Sequence, residues 1–319
     1  MAAPDPAVAA VRTAVRRFLD RHPVTGSVAV ACSGGADSLA LAAATVHCGR
    51  KRGLAVHGLV VDHQLQPGSA GVAARAADQL RELGVRASVL TVEVTGPGGP
   101  EAAARRARYA ALRAARPEHA LVLLGHTEDD QAETVLLGLG RGSGPRSIAG
   151  MAELDPPWGR PLLGLSRATT AAACAALGLD TWTDPHNLDP AYTRVRLRQE
   201  VLPLLEDVLR GGVAAALART AAQLREDSQA LDQLAADLLG QARDGDGLAV
   251  GALKAAPAAL RRRVLRSWLL GAGVSELTDA HLRSVDALVA DWRGQGGVAV
   301  PGGLVAGRAH DRLVLDRSL

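Results

Sequence analysis

The stretch "VAVACSGGADSLALAAA", Val28 to Ala44, changes rhythm in its middle. Its first five residues form a short apolar run with β-branched members, while "DSLALAAA" has the composition of a buried helix. "SGGA", Ser33 to Ala36, therefore reads as a strand-to-helix turn. Gly34 and Gly35 let a ligand approach the backbone closely, and the free N–H groups of the first helical turn offer an anion site that the helix dipole reinforces. Ser33 and Ser38 add hydroxyl donors. The plainer reading is a tight turn in which Ser33 or Asp37 caps the helix. A Walker loop is excluded, because the stretch has no G-x-x-x-x-G-K-S/T pattern and no lysine to reach a terminal phosphate. Asp37 is the odd member: a carboxylate beside phosphates repels them unless a Mg²⁺ ion lies between the two.

Outward from this turn, Val-rich apolar runs alternate with amphipathic segments, the pattern of βαβ units on a parallel sheet. Strands are expected near 27–32, 55–62, 86–94 and 120–125, with "LALAAATVHCGRKRG", "SAGVAARAADQLRELG" and "PEAAARRARYAALRAARP" as helices between them. The fold class is thus α/β, a doubly wound parallel sheet, whose ligands bind where strand carboxyl ends meet helix N-termini. "TGPGGP" at 95–100 is a loop. After about residue 190 the rhythm turns helical, with a break at Gly211 and Gly212. "DGDG" leads into a smaller unit with helices around 256–271 and 278–291 and a closing pair of strands. We expect a catalytic domain over 1–212, a helical connector over 213–245 and a small C-terminal α+β domain over 246–319.

At 319 residues and 48% hydrophobic content the chain can fill a core of this size. The first residues show helical spacing rather than the apolar core of a secretory signal, and no stretch is long and apolar enough to span a bilayer. The expectation is a cytoplasmic protein without a membrane partner. Cys32, Cys48 and Cys174 are scattered, without C-x-x-C, which argues against disulfides and structural zinc. Of the 36 basic residues only Lys51 and Lys254 are lysines, and the net charge of +3 permits a nucleic-acid partner without demanding one. Aromatics at 2% are too few for a base-stacking single-strand binder.

Further motifs cluster at the expected carboxyl edge of the sheet. "LVVDHQLQPGSA" ends a strand with Asp62 and His63, where a nucleotide pocket would recruit a histidine. In "PEAAARRARYAAL", Glu101, Arg105, Arg108 and Tyr109 share a helical face, by itself an ordinary ion-paired helix. "LLGHTEDDQAETVLLGLGRGSG", 123–144, runs from a strand through Gly125 and His126 into a helix carrying Asp129, Asp130, Glu133 and Thr134. Helix capping accounts for one acidic residue there; three exceed that need and suit Mg²⁺ or an amine.

Taken in order, S-G-G-x-D-S, V-D-H, E-x-x-x-R-x-x-R-Y, G-H-T-x-D-D-Q-x-E-T, R-G-S-G, R-P-L-L, D-P-x-N-x-D-x-x-Y-x-R and V-L-P-x-L span residues 25–205. The first motif resembles the pyrophosphate loop of the N-type ATP pyrophosphatases, and the set resembles the tRNA-isoleucine lysidine synthetases. Val195 departs from the asparagine usual after Arg194 in that family. The resemblance implies a Rossmann-like fold of the adenine nucleotide alpha hydrolase type. It also implies an ATP-dependent ligation of L-lysine to C2 of the wobble cytidine in the CAU anticodon of tRNA(Ile), through an adenylated tRNA, with AMP and pyrophosphate released. On it, Ser33, Gly34, Gly35, Ala36, Asp37 and Ser38 bind ATP, with His63 and His126 beside them. Asp130 and Glu133 hold the lysine, and one of them acts as base. Asp37 and Asp129 are the Mg²⁺ candidates. Arg105, Arg108, Arg194, Arg196 and Arg198, with Arg261, Arg262 and Arg263 of the C-terminal unit, are candidates for phosphate or tRNA contact. Family members are often dimers, so a homodimer belongs to the same expectation. The rival readings are a tRNA thiolation enzyme on the same fold, a small-molecule amidating synthetase such as the NAD or GMP synthetases, and a non-catalytic nucleotide- or RNA-binding module.

Overall fold

The computed structural model describes residues 3–97, 99–142, 144–185 and 189–317. Ser143 of the R-G-S-G motif and Asn187 of D-P-x-N therefore lie outside the described residues. The chain forms two compact units, one up to Leu224 and one from Arg225.

The first unit opens with α1 (Pro6–Arg21), capped by Asp5 and buried through Val8, Val11, Val15, Phe18 and Leu19. Then follow β1 (Ser27–Cys32), α2 (Ala36–Arg52), β2 (Ala55–Asp62), α3 (Ser69–Glu82), β3 (Arg86–Thr91), α4 (Gly99–Ala115), β4 (Leu121–Leu123) and α5 (Glu128–Arg141). The short α6 (Pro145–Ile148), β5 (Leu154–Asp155), β6 (Trp158–Gly159), α7 (Arg167–Ala176), α8 (Thr193–Arg196), a π-helical turn (Leu197–Val201) and α9 (Leu202–Val208) complete it. The sheet order is β3-β2-β1-β4-β6-β5, parallel throughout except where β5 runs against β6. This is the expected doubly wound α/β sheet. The crossovers leave β1 toward β2 and return to β4 on its other side, so the switch in strand order falls between β1 and β4. In a doubly wound sheet ligands bind in the crevice at the carboxyl ends of the strands at such a switch.

β1 is buried on both faces through Val28, Ala29 and Val30, as a central parallel strand requires. β5 and β6 escape the sequence pattern because two residues each are too short to show a period.

The long helix α10 (Val213–Ala242) begins just after Gly211 and Gly212, both with positive φ. The boundary between the two compact units falls inside it. Ala221, fully buried, belongs to the first unit, whereas Ala235 and Ala242 enter the core of the second. The second unit contains β7 (Arg243–Asp244), β8 (Gly247–Ala249), α11 (Val250–Lys254), α12 (Ala258–Gly271), α13 (Asp279–Ala290), β9 (Val298–Val300), β10 (Leu304–Ala309) and β11 (Arg312–Arg317). Its sheet is antiparallel in the order β7-β8-β11-β10-β9, with Leu248, Val264, Leu265, Leu269, Leu288 and Leu313 in the core. The expected closing pair of strands is thus part of a five-stranded sheet, and "DGDG" is the hairpin turn between β7 and β8. Among the described residues no helix is long and apolar enough to cross a membrane.

Candidate active site

The turn between β1 and α2 is built to stay open. Gly34 has φ +82°, and a side chain there would press on Ala76 at 3.3 Å. Gly35 occupies the cap position of α2, yet no side chain caps that helix, so the plainer reading of Ser33 or Asp37 as a cap is not what the structure shows. Ser38 instead turns back into the loop: its Oγ donates to Gly35 O at 2.9 Å and accepts from Ser33 N at 3.1 Å. Gly125, after β4, approaches the start of α2 so closely that a Cβ would stand 3.0 Å from the Asp37 carbonyl. Any larger residue at 125 would push the two loops of the crevice apart.

The N-termini of α2 and α5 supply the carboxylates of the site, which their positive dipole ends favour, and the first turn of α7 meets them there. Asp37 lies in the first turn of α2, with Asp129 and Asp130 in the first turn of α5. Asp130 serves twice. Its Oδ2 accepts the Thr127 N–H at 2.8 Å, closing a capping box, while its Oδ1 accepts from Arg167 Nη2 at 3.0 Å. One turn on, Glu133 is fully buried and its Oε1 accepts from Arg198 Nε at 2.8 Å. Its Oε2 is also buried and has no partner among the described residues.

Arg167 joins these groups. Its Nε lies 3.5 Å from Asp37 Oδ2, and its Nη2 also lies 3.7 Å from Glu133 Oε1. One helical turn along α7, Thr170 donates a short hydrogen bond to Asp37 Oδ1. Ser166 caps α7 through Thr169 N, and the Arg167 backbone N–H donates to Asp129 Oδ2 at 2.8 Å. Sequence reasoning missed Arg167. The signal available was an arginine placed at a helix N-terminus, against the dipole, straight after a capping serine.

Charge and burial compete at each carboxylate. Burial pushes Asp37 up, and the Thr170 hydrogen bond and the Arg167 charge only partly offset it. At Asp130 burial acts the same way, but Arg167, His126, the Thr127 N–H and Arg198 together hold its carboxyl below the usual range. Asp130 is therefore a standing anion, suited to pairing with a cation more than to taking its proton.

Asp129, in the first turn of α5, faces the backbone of α7. One of its oxygens is committed to the backbone of α7, and among the described residues no three metal-ligating side chains come together. Asp37 beside the phosphate loop remains compatible with Mg²⁺, which is ordinarily held by one or two carboxylates plus substrate phosphates.

The other side of the crevice is basic. His63 Nδ1, Arg108 Nε, His126 Nδ1 and Arg160 Nε are all buried without partners among the described residues. Burial, with Arg108, Arg160 and Arg105 nearby, drives His126 down to about 3 against the pull of Asp130. His63 is lowered by burial and by Arg108, so both histidines are neutral at pH 7 and offer hydrogen bonds instead of charge. Arg105 lies over the Tyr109 ring at 4.8 Å, and Arg108 at 5.4 Å. The charge of Arg194 also reaches Arg108. These unpartnered donors suit a nucleotide. Arg196 points away from this group and is spent on Glu200 in a bidentate pair at the surface. Arg198 was expected on tRNA, but the π-helical turn carries it inward onto Glu133. Val195, where the family pattern has asparagine, is buried.

Residues 9–205 match the PP-loop domain, and residues 248–314 match the TilS substrate binding domain. Proteins named tRNA(Ile)-lysidine synthase are 59% identical in Rhodococcus erythropolis, over 97% of this chain and 96% of the relative, and 61% identical in Nocardia farcinica, over 96% and 98%. The chain belongs to the tRNA(Ile)-lysidine synthase family. That membership makes it a ligase-type enzyme whose PP-loop domain uses ATP for tRNA modification. The U34-tRNA thiolase NcsA from Methanococcus maripaludis shares the fold of the PP-loop part, at TM-score 0.58 and 18% identity over 69% of this chain and 80% of that one.

Within the lysidine synthase family's substrate binding domain, the arginine run on α12 is mostly engaged internally. Arg261 forks onto Asp286 at 2.8 and 3.1 Å and donates to Ala256 O at 2.7 Å. Arg263 donates to Asp232 Oδ1 at 2.6 Å. Arg262 Nε reaches the Ala258 carbonyl at 3.3 Å. Of the expected tRNA contacts, Arg261 and Arg263 thus form ion pairs within the second unit.

Proposed function

We propose that this chain joins L-lysine to C2 of the wobble cytidine of a CAU-anticodon tRNA(Ile), consuming ATP to AMP and pyrophosphate. The observation that carries the reading is the convergence of Asp130 and Glu133 with Asp37 across Arg167, directly beside an uncapped phosphate loop. The cytosine 2-oxygen is a poor leaving group. Its attack on the α-phosphate expels pyrophosphate and leaves AMP on that oxygen. The lysine ε-amine then adds at C2 and AMP departs with the oxygen.

Residues 33–38 would hold the departing pyrophosphate at the start of α2, and Asp37 would hold Mg²⁺, which would supply neutralisation of its charge. Asp130 and Glu133 hold the lysine as a cation, and Arg105, Arg108, His63 and His126 line the nucleotide side. With Asp130 held as an anion, Glu133 is the candidate base. The thiolation rival needs an accessible thiolate. Cys32, Cys48 and Cys174 are all buried, and burial pushes their thiols up, Cys174 to about 11.

The test is incubation of the purified chain with ATP, Mg²⁺, labelled L-lysine and CAU-anticodon tRNA. Label in the tRNA is the expected result. Sulfur incorporation from a persulfide donor, or no pyrophosphate release on adding tRNA, would point to the thiolation enzyme or to a binding module. The family resemblance also implies a homodimer, which light scattering checks.

A further inference from the structure

Arg167 touches all three carboxylates of the cluster, yet the proposed chemistry gives it no task. Its Nη2 stands 3.0 Å from Asp130 Oδ1 and 3.7 Å from Glu133 Oε1. A single nitrogen thus bridges the two carboxylates as a substrate ammonium would. On its other side Nε is 3.5 Å from Asp37 Oδ2, in the first turn of the helix that follows the phosphate loop. Among the described residues Asp37, Asp130 and Glu133 form ion pairs with two cations, Arg167 and Arg198, so the cluster is one positive charge short. The buried Glu133 Oε2 marks the deficit, since it accepts nothing among the described residues. The backbone of Arg167 is pinned by Asp129 and by the α7 cap, which leaves its side chain as the part free to change rotamer.

We infer that Arg167 is a positioning residue that controls when the amine enters. Without nucleotide its guanidinium occupies the ammonium position between Asp130 and Glu133. A phosphate bound at the Ser33–Ser38 loop draws the guanidinium toward itself, because the planar fork pairs with phosphate as well as with carboxylate. The cleared position, with Glu133 Oε2 added, then accepts the amine. Nucleotide and amine binding are thereby coupled in that order. The inference rests on the reading that Asp130 and Glu133 hold the lysine.

Equilibrium dialysis of labelled L-lysine against the full chain tests it, with and without α,β-methylene-ATP and Mg²⁺. In the wild type the nucleotide should tighten lysine binding about tenfold, a usual size for coupled sites. R167Q should bind lysine about tenfold more tightly without nucleotide and lose the nucleotide effect, while R167K, which keeps a charge, should restore part of it. R167Q binding no more tightly than wild type, or keeping the full nucleotide effect, overturns the inference. Should R167Q not fold, a wild type that binds lysine equally with and without nucleotide overturns it too. D130N and E133Q separate the two levels. If both leave lysine binding intact, the lysine assignment itself fails; if they abolish it while R167Q behaves as wild type, only the role of Arg167 falls.

Discussion

Two groups of arginine–carboxylate pairs in this chain use the same chemistry to opposite ends. In the second unit two arginines each have their own acid: Arg261 forks onto Asp286 with both oxygens used, and Arg263 takes Asp232. In the first unit one guanidinium is shared among three carboxylates at 3.0, 3.5 and 3.7 Å, and a buried oxygen of Glu133 is left over. A satisfied pair holds a fold together and has nothing left to offer a ligand. An undersupplied cluster carries a standing electrostatic cost, which the surrounding fold must offset, and a cation can relieve it. The family description calls residues 248–314 a substrate binding domain, yet its most conspicuous arginine run serves mainly the packing of α12 on α13 and within its own unit.

The contrast can be broken at several points. The largest effect is expected at Asp37→Ala, which should cut tRNA-dependent pyrophosphate release by about a thousandfold, as loss of preorganised charge stabilisation at a reacting phosphate does. Wild-type turnover would remove Asp37 from the chemistry. Asp130→Asn should lower lysine transfer by about a hundredfold or more while some pyrophosphate release persists, because the amide still caps α5 but no longer attracts a cation. An unaltered transfer rate would dissolve the distinction between the two groups of pairs.

Arg261→Ala should act the other way, costing about 3 kcal/mol of stability in urea unfolding, since it strands Asp286 with little access to water. The salt slope of tRNA binding should stay as in the wild type; a flattened slope would show that Arg261 contacts the phosphate backbone after all.

The smallest effect concerns His126. Its folded value, about 3, lies below the ordinary 6.5, so between these two pH values the unfolded chain binds a proton that the folded chain refuses. Stability contributed by the neutral ring is present above pH 6.5 and declines as pH falls toward 3. His126→Gln should make the loss of stability between about pH 7 and 5 shallower. An identical slope in the variant would mean that the ring titrates normally.

Much of this was legible along the chain, for reasons that are local. β1 follows from an apolar run of the length that a buried parallel strand needs, and the turn between β1 and α2 follows from two glycines between two serines. Asp130 and Glu133 could be placed together because three residues separate neighbours on a helix face. Arg198 and Arg261 misled because a charge run reports only what is charged. Which way each side chain points depended on a π-helical turn at Leu197–Val201 and on an aspartate twenty-five residues away.

By itself the sequence determined the order of the elements, the phosphate loop, the acidic helix face and the family, all of which rest on local patterns or on motif order. Only the tertiary structure decided that Arg167 closes the cluster, that Asp129 bonds the backbone of α7 and that Arg261 and Arg263 pair with Asp286 and Asp232. Ion pairs form between residues distant along the chain, and which of several equivalent charges meet is settled by how the helices pack, a property that no local spacing carries.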